Sequence, residues 1–347
     1  MTAPAIQRSS NIELLRILSM FLVLVLHANF LGIGVPTPEE CATTPLNAYF
    51  RFFIESLSIV AIDVFIMISG WFGIKPSLKR LCSLLFQILF FTVSLLLVFC
   101  LTKGRSVVTL NSVLRLFMIT KGYWFIKSYL CLFILSPVLN LFVEKASQKT
   151  FKWVLIGFFA FQTIYGWTDS APEFFFGYST LSFIGLYLLA RYLRLYPVRV
   201  LSNRKICIVT YFAISFFVAF CIWYLMKADF HTKYTLPIVF SYINPVLILS
   251  SVALLFAFIN TDMAHSKVIN WIAISSFAVF IIHTNEFIMP YYRSAVWFFY
   301  SNFSPILRGL LILLFLILVF LSCVLLDKIR LFIWHKVERL FDGRNII

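Results

Sequence analysis

Residues Asn11 to Asn29 read NIELLRILSMFLVLVLHAN, and the apolar run continues as FLGIG to Gly34. About 20 apolar residues rising about 1.5 Å each cover the roughly 30 Å of bilayer hydrocarbon, so this stretch predicts a membrane-spanning helix. An arginine and a titratable histidine are costly there unless each has a partner or a task. Ten residues separate Arg16 from His27. At about 100° per residue the two share one helical face, roughly 16 Å apart along the axis. Glu13 precedes Arg16 by three residues, within pairing reach on the same face. The segment is too long for a signal-peptide core, carries Glu13 and Arg16, and lacks a small-residue cleavage site. It is therefore expected to be a retained helix.

The same character runs along the whole chain. Of its 347 residues 61% are hydrophobic and 12% charged, with 41 phenylalanines, and the mean hydropathy is +0.95. A water-soluble fold of this length cannot hide so much apolar surface. The expectation is an all-α polytopic membrane protein, a single membrane domain over 1–347 with no separate soluble domain. The net charge of +15 suggests nucleic acid only in a soluble protein. Here basic residues gather in short loops, so the expected partner is the bilayer and not nucleic acid. Cys82, Cys100, Cys131, Cys207, Cys221 and Cys323 lie in or beside apolar segments and Cys41 in a polar loop. No disulfide framework is expected, and no Cys/His cluster has metal-site spacing.

A span length of about 20 residues places about ten transmembrane helices. They fall near 12–34, 49–73, 81–102, 123–143, 151–168, 175–194, 206–226, 237–259, 268–290 and 306–326. With the N-terminus inside, cytoplasmic segments carry 18 Lys and Arg and outer segments 8. That bias predicts both termini cytoplasmic. The loop holding Lys103, Arg105, Arg115 and Lys121 runs against it. Within that loop Leu110, Val113, Leu114 and Phe117 follow helical spacing around Arg115, predicting an interfacial or re-entrant helix over 106–121.

Four stretches, in chain order, resemble the acyltransferase-3 family of integral membrane acyltransferases. They are Asn11–Asn29 with its Arg-ten-His spacing, IESLSIVAIDVFIMISGWFGIK from Ile54 to Lys75, YWFIKSYLCLFILSPVLN from Tyr123 to Asn140, and FAVFIIHTNE from Phe277 to Glu286. The resemblance spans most of the chain, and ten helices is the family's usual count. It implies transfer of an acyl group, usually acetyl, from acetyl-CoA or another acyl-CoA to a sugar hydroxyl. The acceptor it implies is a surface polysaccharide or its lipid-linked precursor, in a bacterial inner membrane. Acyl-CoA enters as a substrate, and no permanently bound cofactor is expected. One departure is Asp63, where similar sequences often carry a neutral residue.

Helix rise gives depth. Arg16 falls roughly 6 Å and His27 roughly 22 Å from the cytoplasmic side, while Glu55 reaches the level of His27 and Asp63 that of Arg16. If the first two helices adjoin, Glu55 is placed to pair with His27 and Asp63 with Arg16. His27 is the candidate general base, taking the proton of an acceptor hydroxyl, or the nucleophile through an acyl-imidazole. Glu55 would hold its tautomer. Arg16 is a candidate for the donor's phosphates, as are Lys75, Lys79 and Arg80. Against these stand plainer roles: a packing histidine, an arginine satisfied by Glu13, and ordinary positive-inside anchors. His283, at a depth matching His27, is expected to orient a substrate or bond a neighbouring helix. Trp124 and Lys127 are weaker candidates for the acceptor, with an aromatic-belt tryptophan as the plain alternative.

Two other functions compete. A glycan-lipid flippase or exporter would spread buried charges over several helices, whereas here they concentrate in the first two. A polysaccharide polymerase would carry a large outer loop, and the outer loops here are short.

Overall fold

The computed structural model describes residues 9–119, 122–167, 173–230 and 234–342. Arg8, Lys121, Lys233 and Arg344, counted above in loops and tails, lie outside them, as does the end of the 106–121 segment. The helices begin with α1 (Ser10–Leu26), a π-helical turn (His27–Ile33), α2 (Pro38–Thr43), α3 (Pro45–Ser58) and α4 (Ala61–Phe72). Then come α5 (Leu78–Lys103), α6 (Leu110–Leu116), α7 (Trp124–Lys145), α8 (Gln148–Tyr165) and α9 (Thr180–Leu195). The remainder are α10 (Arg204–Lys227), α11 (Thr235–Val239), α12 (Pro245–Ile259), α13 (Lys267–Ala273), α14 (Ser276–His283), α15 (Met289–Asn302) and α16 (Pro305–Asp342). No strand occurs among the described residues.

Short polar residues start these helices. Side-chain oxygens of Ser77, Ser147, Ser179, Asn203 and Asn244 accept from first-turn amides of α5, α8, α9, α10 and α12. Each satisfies donors that lack an intrahelical partner. Thr37 with Glu40 and Thr109 with Ser112 form reciprocal capping boxes on α2 and α6.

Six helical stretches among the described residues are long and apolar enough to cross a membrane: Ser10–Ile33, Pro45–Phe72, Leu78–Lys103, Trp124–Lys145, Arg204–Lys227 and Pro305–Arg339. The segments expected near 151–168, 175–194, 237–259 and 268–290 form shorter or more polar helices. Pro245 has no N–H to give, so the stretch from 237 divides into α11 and α12. The stretch from 268 is interrupted between Ala273 and Ser276. The helix expected over 49–73 is interrupted by a turn at Ile59 and Val60 between α3 and α4, just after Ser56 Oγ donates to the Phe52 carbonyl at 2.8 Å. Such back-bonding, followed by β-branched Ile59 and Val60, loosens a helix locally. A loop was expected after 290, but α15 forms there, and α16 continues far past 326. The helix expected in the 106–121 segment is present as α6.

The chain divides into two compact units, one of residues 1–75 and 124–273, the other of 76–123 and 274–347. In the first, α1 packs on α3, α4, α12 and α13, α4 packs on α9 and α12, and α10 packs on α3 and α12. The buried positions Ile12, Leu15, Ser19, Val23 and Leu26 form one stripe at three- and four-residue spacing along α1. Nine of the twelve residues of α4 are buried. Lipid is as apolar as leucine, so close packing rather than water exclusion joins such helices. Gly70 provides it: a Cβ there would lie 2.5 Å from the Tyr187 carbonyl oxygen and 2.9 Å from Ala190 Cβ on α9. Below it, the Tyr187 hydroxyl donates to Asn140 Oδ1 at 2.6 Å and Asn140 Nδ2 donates to the Ile74 carbonyl at 2.8 Å, tying α9, α7 and the end of α4 together.

In the second unit α5, α14 and α16 pack on one another, with α6 on α5 and α15 on α16. Arg330 donates to both Asp327 oxygens at 2.9 Å, and Gln87 Nε2 of α5 adds a bond to Asp327 at 3.0 Å. All three residues are buried.

Candidate active site

The first unit's ionisable candidates Glu13, Arg16, His27, Glu55 and Asp63 sit on α1, the π turn that follows it, α3 and α4. At the start of α1, Asn11 Nδ2 donates to the Phe258 carbonyl at 2.9 Å and the Ser266 amide donates to Ser10 Oγ at 2.8 Å. These bonds fix α1 against the end of α12 and the start of α13. One turn on, Arg16 NH1 meets both oxygens of Glu13 at 2.7 Å. Glu13 is buried, while the Arg16 side chain keeps 25% exposure.

The expected pairing of Arg16 with Asp63 does not form. A partner three residues away on the same helix needs no reach between helices and occupies the guanidinium first. Asp63, fully buried on α4, accepts instead from Ser251 Oγ of α12 at 3.4 Å. Its Oδ1 has no hydrogen-bond partner among the described residues.

His27 is half-buried and opens the π-helical turn through Ile33. Widened turns of this kind are uncommon and gather at functional sites. Two residues on, buried Asn29 donates from Nδ2 to Glu55 Oε2 at 2.9 Å and to the Arg51 carbonyl at 2.8 Å. The first two helices therefore adjoin, and Glu55 lies beside the turn that His27 opens. Its carboxylate is held by Asn29 rather than by His27.

Arg51 completes this corner. Its Nε faces Asn29 Oδ1 at 3.4 Å, NH2 donates to the Gly34 carbonyl, and NH1 lies 3.9 Å from Glu40 Oε1. Neither Asn29 nor Arg51 stood out as a site residue in the sequence. Arg51 had a signal, a cation inside the apolar stretch from 49 to 73. Asn29 had none beyond its place after His27.

Trp124, at the start of α7, packs against Tyr178 with ring centroids 4.6 Å apart and against Tyr242 at 5.8 Å. Tyr178 and Tyr242 are 5.1 Å apart. Tyr242 is buried within electrostatic reach of both Asp63 and Glu55. The expected stacking tryptophan thus packs in an aromatic cluster whose Tyr242 interacts with both carboxylates. Lys127 is half-buried one turn further along α7, and Lys75 is exposed just beyond α4.

The other expected residues belong to the second unit. Lys79 and Arg80 are exposed on the first turn of α5, and Lys79 Nζ lies 2.7 Å from Glu338 Oε1. His283 is fully buried at the end of α14, with Nδ1 2.5 Å from the Val279 carbonyl and rings of Phe280 and Tyr292 about it. A carbonyl only accepts, so Nδ1 carries the proton. Nearby, Arg115 of α6 pairs with Glu286 at 2.9 Å, and Asn285 Nδ2 donates to the Tyr123 hydroxyl at 2.9 Å. These four line a small concavity with Thr92, Ser112, Leu116 and Phe287.

The first unit is therefore a helical membrane scaffold with carboxylates, two arginines and a histidine on adjoining helices. The chain belongs to the acyltransferase-3 family, described as an acyltransferase domain, which matches residues 9–328 and so runs through both units. It is a membrane acyltransferase of that family. No curated protein and no solved structure matches the chain.

Proposed function

We propose that this acyltransferase moves an acetyl or other short acyl group from acyl-CoA to a hydroxyl of a cell-surface glycan or its lipid-linked precursor. The observation that carries the reading is the polar column of adjoining helices: Glu13 and Arg16 at one end of α1, then His27 at its π turn with Asn29 and Glu55 beside it.

Arg16 engages Glu13 through NH1 alone. Its remaining edge is the donor's phosphate contact, with Lys75, Lys79 and Arg80 as further cations for coenzyme A. His27 acts in one of two ways. As general base it takes the acceptor hydroxyl proton while that oxygen attacks the thioester carbonyl. The C–S bond then breaks, and the thiolate recovers the proton. As nucleophile its nitrogen attacks the thioester carbonyl and expels coenzyme A as the thiolate. The acyl-imidazole then passes the acyl group to the hydroxyl, whose proton goes to the departing imidazole or the thiolate. Glu55 serves His27 through Asn29. Trp124 and Lys127 face the acceptor, and His283 is a supporting residue.

The protein crosses the inner membrane ten times with both termini cytoplasmic. The six long helices are joined by α8, α9, α12 and the apolar stretch from Lys267 to His283, and the Lys/Arg bias sets the orientation. Reporter fusions at both ends test this arrangement, and an external terminus sinks it. Membranes incubated with radiolabelled acetyl-CoA test the chemistry. Label in glycan that disappears with His27→Ala supports it. Full transfer by His27→Ala, or none by the wild type with acceptor present, overturns it, and the latter favours a flippase or polymerase.

A further inference from the structure

Among the side chains that hold the turn carrying His27 from outside, Arg51 engages it at two points. The π segment runs from His27 to Ile33 and closes at Gly34, whose φ of +103° ends it abruptly. A π turn is less favourable than the α-helix that precedes it and persists only where its surroundings hold it. Arg51 of α3 reaches both its ends. It faces Asn29 Oδ1 through Nε near the start and binds the Gly34 carbonyl through NH2 at the finish. Its own carbonyl takes a second bond from Asn29 Nδ2 at 2.8 Å. Glu55, one turn further along α3, holds the same Asn29 at 2.9 Å, and Glu40 stands 3.9 Å from NH1. Arg51 is only 5% exposed. A buried guanidinium is an expensive way to anchor a protein in a bilayer, but its rigid fork can bridge several acceptors at once.

We infer that Arg51 is a positioning residue for acyl transfer: it clamps the π turn at Asn29 and Gly34 and so sets the direction of the His27 ring. The activity half of the claim rests on His27 being the reacting group, as proposed above. The geometric half does not. Arg51 acts through the turn and touches no reacting atom. Lysine is a poor substitute, because one ammonium on a flexible stem cannot span Asn29, Gly34 and Glu40 together.

Membranes bearing wild type, Arg51→Lys or Arg51→Gln, matched for folded protein, are treated with diethyl pyrocarbonate. Modification of His27 is followed by mass spectrometry, with acetyl transfer measured in parallel. Both variants are expected to change the His27 modification rate at least about threefold, and to lower kcat roughly tenfold to a hundredfold with donor KM within about twofold. An unchanged His27 rate in both variants overturns the clamp whatever happens to activity, and so does wild-type behaviour of Arg51→Lys. Absence of transfer by the wild type sinks the acyl-CoA reading alone, because the modification rate still reports the turn. Should the Arg51 variants fail to fold, Gly34→Ala serves. It adds a methyl with nothing within 4 Å but forces a positive-φ position, so it disturbs the turn without crowding. A shifted His27 rate there supports the clamp, and an unshifted one overturns it.

Discussion

Asn29 joins the π turn after His27 to α3 by donating to Glu55 at 2.9 Å, with both residues buried. The bond places a carboxylate next to the histidine's turn without placing it on the histidine. Glu55 is then an anchor for Asn29 first and a source of negative charge second. Asn29→Ala and Glu55→Ala should each lower acyl transfer. If they act through one bond, the double variant should fall short of the summed effects by about 0.5–3 kcal/mol in transition-state free energy. Rates from labelled acetyl-CoA on matched membranes give the cycle. Strict additivity means that the bond has no part in catalysis.

Arg16 and Glu13 face the opposite end of α1. The pair sits at 2.7 Å on a part-exposed arginine, so little of it counts as fold stability. Arg16→Ala should leave the protein in the membrane and raise the apparent KM for acyl-CoA about tenfold or more, near 1.4 kcal/mol of lost donor binding. Glu13→Gln removes the competing charge and should leave that KM unchanged or lower it. Donor saturation curves decide the matter. An Arg16→Ala enzyme with normal KM and reduced accumulation would make the pair structural.

These two ends differ in how far they were visible before the structure. The Arg-ten-His spacing puts Arg16 and His27 on one face, and helix rise puts Glu55 at the level of His27. Both inferences use only the regular geometry of the α-helix. The π turn departs from that geometry, and apolar periodicity over HANFLGI does not distinguish it from an ordinary helical end. Asp63 was assigned to Arg16 by level alone. Depth says nothing of rotation about the helix axis, and Asp63 in fact faces Ser251 on α12. Helix ends were legible where Ser, Asn or Pro marks them, as at Asn244 and Pro245. The extension of α16 to Asp342 is not legible from hydropathy, which falls away at Asp327, because helical continuation needs no lipid.

Gly70 is a position where a single methyl should be felt. Its missing Cβ lets α4 approach the Tyr187 backbone and Ala190 on α9, an approach of the small-residue kind that joins helices in lipid. The obstacle at 2.5 Å is a backbone carbonyl oxygen, so relief requires the helices to move apart. Gly70→Ala should destabilise the protein by roughly 1–3 kcal/mol, seen as a lower thermal midpoint in detergent. Gly157, with nothing within 4 Å of a Cβ, is the control. Gly157→Ala should be neutral or slightly stabilising, since alanine is the better helix former by about 1 kcal/mol.

The Asp327–Arg330 pair makes the opposite kind of demand on the second unit. The side chains are 0% and 4% exposed, and Gln87 brings α5 into the same network. Burying two charges costs about as much as their attraction returns, so the pair itself adds little net stability. Removing one member is another matter, because the survivor stays buried without its counter-charge. Arg330→Met should therefore lower stability by about 3–5 kcal/mol. Adding Asp327→Leu to it should recover most of that loss, since an apolar pair of similar volume carries no desolvation cost. Thermal unfolding of the detergent-solubilised protein, followed by fluorescence, compares the single and double variants. If the double variant is no more stable than Arg330→Met, the network is holding α16 to α5 through Gln87 rather than balancing a charge. Gln87→Leu should then reproduce the loss by itself.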